Sequence, residues 1–246
     1  MMSPYGKDFA EFYNQHWAEW TERIWPFVSR TVKTCCPQAS SWLDLCCGTG
    51  QLLRKVTGRG FTATGLDRSP HQLRYARRNA PKAKLVRADV RQFSLPERHD
   101  VITCLFDSLN YILTPVGLKA AFANAREHLN PGGVFIFDMN TEAGYLKHWN
   151  HASVRVREKA RLLVMDTSYD RKARLALCSI IGFIRAGNRY RRFEERHLQR
   201  AFPEKTLDLM LKQLGFTFRK YDGYRFTRPR KDSGRWFYVC CLKGQK

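Results

Sequence analysis

Asp44, Gly48, Gly50, Asp67 and Asp89 are the residues of this chain whose types and spacing could do chemistry together. An apolar run, "SWLDLCC", ends in an acid and two thiols and turns through Gly48 and Gly50. It then continues as "QLLRKV", which has helical spacing. A strand that ends in a glycine turn and feeds a helix lets the backbone approach a ligand and offers it unpaired N–H groups. Two glycines alone are a weak signal, and the acids sharpen it. Asp67 closes the next apolar run, "TATGLD", where a carboxylate meets ribose hydroxyls. Asp89 closes "AKLVRAD", where it can take the amino group of an adenine. Asp44 stands before the glycines; it would repel a phosphate and attract an ammonium group. One acid for an ammonium, one for a ribose and one for an adenine describe S-adenosylmethionine rather than a dinucleotide.

These residues need strands to carry them, and the sequence supplies a rhythm of short apolar runs and amphipathic segments from Ser41 onward. "SWLDLCC", "TATGLD", "AKLVRAD", "HDVITCLF" and "GVFIFDMN" read as strands. "QLLRKV", "SPHQLRYARRNA" (opened by Ser69 and Pro70) and "PVGLKAAFANAREHL" (stopped by "NPGG") read as helices. Such alternation predicts crossovers and a parallel sheet. Residues 7–33 predict helix rich in aromatics, including Phe9, Phe12, Tyr13 and Trp17. Beyond His151 the helical period fades. "AGN" between two strand-like runs predicts a hairpin in a small antiparallel insert. "PEKTLDLMLKQLGF" predicts a helix stopped at Gly215, and "FTFRKYDGY" and "RWFYVCCLK" predict two final strands. The expected units are a helical lid (1–34), a cofactor-binding core (35–150), a β insert over the acceptor site (151–202) and a last helix and strands completing the core (203–246).

Here the sequence resembles the class I S-adenosylmethionine-dependent methyltransferases. "LDLCCGTGQLL" is similar to their glycine motif, "TGLDRSPHQL" to their ribose-acid motif and "ADVRQF" to their adenine motif. "FDSLNYIL" resembles the segment after the fourth strand that faces the methyl donor, and "LNPGGVFIFDMN" the entry to the fifth. The N-terminal "FAEFYN" and the antiparallel insert resemble the branch that acts on small molecules. In that branch a Tyr-Asp pair covers the cofactor: Tyr13 matches, and Asn14 stands where the acid would be. The resemblance implies a Rossmann-like α/β fold, a seven-stranded mixed sheet of order 3-2-1-4-5-7-6 with helices on both faces. It implies cofactor contacts from Tyr13, Asp44, Cys46, Gly48, Gly50, Asp67, Arg68, Asp89, Val90 and Phe106.

The implied reaction is methyl transfer from S-adenosylmethionine, giving S-adenosylhomocysteine, by in-line displacement to a nitrogen or oxygen of a small molecule. Asn110, Tyr111 and His197 are the candidates for orienting the acceptor. His197 is either a base or a structural histidine, and Arg200 lies in the same strand-like run. Either Asn110 or Tyr111 orients the acceptor or the segment is a short helix capped by Asp107 or Ser108, Arg68 either flanks the adenine or is solvated, and Asp138 faces the acceptor or supports a turn.

Charge leaves a second reading open. The chain carries a formal net charge of +21. Most of it lies in residues 151–246; it serves solubility in an arginine-rich chain, the leading reading because the charges are dispersed, or it suits an acidic acceptor or an RNA or DNA substrate. The charges are dispersed, and "FDSLNY" lacks the prolines found in base-modifying relatives, so the small-molecule reading leads. A non-catalytic cofactor-binding role is third. Six of the eight cysteines fall in adjacent pairs and no CxxC occurs, so no metal site is expected. Cys46, Cys47, Cys240 and Cys241 read as strand residues acting as small apolar wall. No signal peptide and no membrane span are expected, which makes the cytoplasm the expected location. The sequence is silent on oligomeric state.

Overall fold

The computed structural model describes residues 4–242. Two helices open the chain, α1 (Lys7–His16) and α2 (Ala18–Cys35), broken at Trp17. Thus the aromatic segment, expected as one helix, is two. The core then alternates: β1 (Ser41–Leu45), α3 (Gln51–Thr57), β2 (Thr62–Asp67), α4 (Pro70–Asn79), β3 (Lys84–Arg87), β4 (His99–Cys104), a 3₁₀ turn (Ser108–Tyr111), α5 (Pro115–Glu127) and β5 (Leu129–Asn140). Local chemistry fixes the helix starts. Ser69 Oγ accepts from Gln72 N and Thr114 Oγ1 from Gly117 N, each with proline just inside. A short helix, α6 (Glu142–His148), capped by Thr141, was not legible in the sequence.

Four strands follow, β6 (His151–Glu158), β7 (Arg161–Asp170), β8 (Leu175–Ala186) and β9 (Arg189–Arg200), then α7 (Glu204–Gln213), β10 (Phe216–Asp222) and β11 (Arg235–Leu242). The main sheet has the order β3-β2-β1-β4-β5-β11-β10, with β11 antiparallel to both neighbours. This is the expected 3-2-1-4-5-7-6 arrangement. Its central parallel strands β1, β4 and β5 are largely buried on both sides. Leu118, Phe122, Leu207 and Leu211 of α5 and α7 cover one face. Ile24, Val28, Leu53 and Leu73 of α2, α3 and α4 cover the other.

Strands β6 to β9 form a separate antiparallel sheet. Gly187, at φ 62°, lies in the two-residue turn between Ala186 and Arg189, where the hairpin was expected. One face of this sheet packs Val156, Leu163, Cys178 and Ile180 against Phe9 and Phe12 of α1. Helix α1 is thereby held between the small sheet and the mouth of the large one.

Candidate active site

The strand order reverses direction between β1 and its neighbours β2 and β4, and the carboxyl ends of these strands leave a crevice there. The crevice is lined by Tyr5, Tyr13, Cys46, Gly48, Asp67, Arg68, Ser69, Gln72, Asp89, Val90, Arg91, Phe106 and Tyr111, and encloses about 850 Å³ including its open mouth. A smaller recess beside it adds Asp44, Trp17, Thr49 and Leu105. Nine of the ten cofactor positions expected from sequence line one or the other. Gly50 lines neither: a Cβ there would meet Ala76 Cα at 2.9 Å, so Gly50 is a packing glycine that seats α3 on α4. Gly48 is the one at the crevice, at φ 55°, where a Cβ would meet Tyr13 and Gln72 only at ordinary contact distance.

Each acid is held differently. Asp67 Oδ2 accepts from Gly48 N at 2.9 Å and Oδ1 from Ser69 N at 2.8 Å. Both oxygens keep a second lone pair for a pair of hydroxyls. Burial raises its pKa, against the lowering effect of those two backbone donors. Asp44 is 4% exposed, and its Oδ1 accepts from Thr103 Oγ1 at 2.7 Å, which in turn accepts from Trp42 Nε1. Burial pushes its pKa up to about 7. A cationic group in the recess would remove that penalty. Asp89 sits just past the end of β3 rather than within it, and Arg91 grips it with Nε at 2.9 Å and Nη2 at 2.7 Å. That hydrogen bond lowers the pKa of Asp89.

The backbone at the mouth is strained. Cys46 (φ 56°), Phe106 (φ 63°) and Asp107 (φ 49°) all take the left-handed conformation, which costs a non-glycine residue about 1 kcal/mol or more. Cys46 and Cys47 therefore do not continue β1, contrary to the strand expectation. Cys46 walls the crevice, and Cys47 is buried below it against Gly65. A buried network holds the Phe106–Asp107 turn: Arg235 Nη2 donates to Asp107 Oδ1 at 2.6 Å and Nη1 to Asp138, while Gln199 Nε2 donates to Asp107 Oδ2 at 2.5 Å. Asp138 is thus a support beneath the site and does not line it.

The acceptor-orienting candidates separate. Asn110 is fully buried, and its amide donates to Asn140 O and Arg200 O and accepts from Asn140 N. It cannot also orient a ligand, which corrects that expectation. Arg200 falls on the strand face opposite His197, and its Nη1 donates to Ala173 O. Tyr111 and His197 come together. Tyr5 Oη donates to Tyr111 Oη at 3.1 Å, Tyr111 Oη lies 2.9 Å from His197 Nδ1, and His197 Nε2 lies 2.9 Å from Glu195 Oε2. Glu195 also accepts from Tyr5 N at 2.8 Å and Gly6 N at 2.6 Å. Sequence reading missed Glu195 and Tyr5. The signal for Glu195 was its spacing: residues two apart in a strand share a face, so Glu195 and His197 point inward together.

Asn14, where the family pattern has an acid, fastens the lid through a hydrogen bond from Asn79 Nδ2 at 2.6 Å; Asn79 also donates to Thr49 O in the glycine turn. Among the described residues no three of His, Cys, Asp and Glu gather as metal ligands, and no helix is long and apolar enough to cross a membrane.

The donors and acceptors fit S-adenosylmethionine. The amide of Gln72 is buried at the crevice wall with neither polar atom partnered; the three acids suit cationic and hydroxyl-bearing groups, and Gly48 leaves room for a ligand against the turn. Residues 43–133 match the family model described as "Methyltransferase domain". A solved S-adenosylmethionine-dependent methyltransferase from Clostridium acetobutylicum superposes with a TM-score of 0.80, at 27% identity over 96% of this chain and 98% of that one. Residues 43–133 are a methyltransferase domain, and the chain has the fold of the class I S-adenosylmethionine-dependent methyltransferases. This methyltransferase is 24% identical to "Putative methyltransferase YqeM" of Bacillus subtilis over 94% of each chain. It is 37% identical to the dTDP-3-amino-3,4,6-trideoxy-alpha-D-glucopyranose N,N-dimethyltransferase of Streptomyces venezuelae over 45% of this chain, an alignment that spans about half the length of that relative. The methyltransferase is an enzyme whose cofactor is S-adenosylmethionine.

Proposed function

We propose that this methyltransferase acts in the cytoplasm on the amine nitrogen of a small molecule held at the mouth of the crevice, against Tyr5 and Tyr111 and roofed by α1 and the β6–β9 sheet packed on it. In this reading residues 1–34 are the lid, 151–202 the roof, and 35–150 with 203–246 the core. The observation that carries it is the chain Tyr5–Tyr111–His197–Glu195, which begins at the crevice and ends on a buried carboxylate.

When bound, S-adenosylmethionine supplies a methyl group already activated on a sulfonium. What remains for the protein is to align the acceptor, exclude water and remove a proton. An alkyl amine near neutral pH is an ammonium without a lone pair, so it must lose one proton before it attacks. Each hydroxyl in the chain donates toward His197, whose Nδ1 is free to accept because Glu195 holds the proton on Nε2. A proton arriving at Tyr111 Oη therefore leaves on His197, with Glu195 stabilising the imidazolium. Burial, aided by the Asp107 charge, keeps the pKa of Tyr111 well above its usual value, so its hydroxyl acts as a conduit rather than as the base. Oxygen acceptors make a weaker case, since an alcohol needs a far stronger base than imidazole. The aminosugar N,N-dimethyltransferase among the relatives supports nitrogen. The excess positive charge of residues 151–246 supports an anionic carrier, of which a nucleotide-linked aminosugar is the leading case.

The test is methyl incorporation from labelled cofactor into a dTDP-linked 3-amino-3,6-dideoxyglucose and into its 3-hydroxy counterpart, read by mass spectrometry. The account expects N-methylation of the amine alone. Methylation of the hydroxy compound, or of RNA instead of either, would overturn it.

A further inference from the structure

The largest groove outside the crevice runs between α2 and the β10–β11 edge of the main sheet. Arg23 and Arg30 of α2 stand two helical turns apart on one wall, and Arg219 of β10 and Arg225 lie on the other. No carboxylate lines the groove among the described residues, so its field is that of four guanidinium groups. At one end the exposed Cys35, the last residue of α2, and the half-buried Cys241 of β11 line the groove together, close enough for each thiol to act on the other's titration. Nothing in the methyl-transfer site uses either residue.

We propose that this groove is a site of thiol–disulfide exchange with an anionic low-molecular-weight disulfide of the glutathione class, in which Cys35 attacks and Cys241 resolves. The Cys35 thiolate displaces one sulfur of the disulfide, forming a mixed disulfide and releasing one thiolate, which takes up a proton. Cys241 then loses its proton and attacks the Cys35 sulfur, expelling the second thiol. The protein pair is oxidised by two electrons, the small disulfide is reduced by two, and the two thiol protons leave on the two released molecules. The product bond would staple the end of α2 to the last strand.

Three features support the assignment of roles. The Cys241 S–H directed at Cys35, together with the neighbouring Arg219 guanidinium, brings the Cys35 thiol down to about 7 against the effect of burial. The thiolate is the attacking species, so the lowered and more exposed thiol is the nucleophile. Cys241 is pushed up because its proton is held by Cys35, as suits a resolving thiol that waits for the mixed disulfide. Cys36, adjacent in sequence, is raised by burial and by the Asp100 charge, which leaves Cys35 as the nucleophile. The arginines match the negative charge of glutathione.

The experiment uses the full chain, reduced and then exposed to oxidised glutathione at neutral pH, with intact and peptide mass spectrometry without reductant. The wild type should first gain one glutathione at Cys35 and then lose it, leaving a peptide cross-link between Cys35 and Cys241. Cys241→Ser should stop at the mixed disulfide, and Cys35→Ser should give neither product. Arg30→Glu should slow addition from oxidised glutathione roughly threefold or more and leave the rate with neutral 4,4′-dithiodipyridine unchanged. A Cys35–Cys36 bond, addition at another cysteine first, or no cross-link in a wild type that has been glutathionylated would each overturn the proposal.

Discussion

At the scale of single residues, Asp44 makes the sharpest prediction. Its folded pKa of about 7 lies above its ordinary value because the carboxylate is buried. A group raised in this way contributes stability that is fully present below about pH 4 and is lost as pH climbs through 7. Without cofactor, thermal stability should therefore fall between pH 5 and pH 8 by an amount that Asp44→Asn abolishes. If Asp44 receives the cofactor's ammonium group, as proposed, binding needs its ionised form. Affinity for S-adenosylmethionine should rise roughly eightfold between pH 6 and pH 7.5 in the wild type and stay flat in Asp44→Asn, as isothermal titration can establish. The proposed relay would act on the rate and not on cofactor binding. Tyr111→Phe should lower kcat about a hundredfold on an accepted amine with cofactor affinity unchanged. Equal loss in both quantities would mean that Tyr111 merely shapes the crevice.

At the scale of elements, the two glycines of the first turn do different work, and a pair of substitutions separates them. Both glycines take the left-handed conformation, so either substitution is strained, but Gly50→Ala also drives a Cβ to 2.9 Å from the Ala76 backbone, whereas Gly48→Ala meets only ordinary contacts. Gly50→Ala should lower Tm by at least twice as much. The strain alone is worth about 1–2 kcal/mol, or roughly 2–4 °C per kcal/mol for a chain of this size. Gly48→Ala should chiefly weaken cofactor binding. The parallel core was legible because its strands are short apolar runs that end in acids and its helices open on Ser-Pro and Thr-Pro. The break at Trp17 was not, since aromatic spacing continues through it on both sides. Apolar character cannot distinguish a pleated thiol from one at φ 56°, so pattern alone places Cys46 in the strand. Asn110 looked available because a sequence gives no sign of the three backbone partners that occupy its amide. Glu195 was hidden among the charges of "EERHLQR", where only the alternation of β9 sorts inward from outward.

For the whole molecule, the charge excess and the cofactor crevice lead to two further measurements. Positive charge dispersed over the surface attracts any polyanion, so RNA and DNA should bind weakly at low salt and release near physiological ionic strength. Retention at that salt, accompanied by methylation of the nucleic acid, would favour the reading set aside above. The most direct test of the central claim, that the crevice at the carboxyl ends of β1, β2 and β4 holds S-adenosylmethionine through Asp67 and Gly48, is calorimetric titration of the cofactor into wild type and Asp67→Ala. The account predicts one site in the wild type, and binding weaker by about tenfold or more in the mutant through loss of a charge-assisted contact to the ribose. Binding of equal strength to both proteins, or none to the wild type, would contradict it.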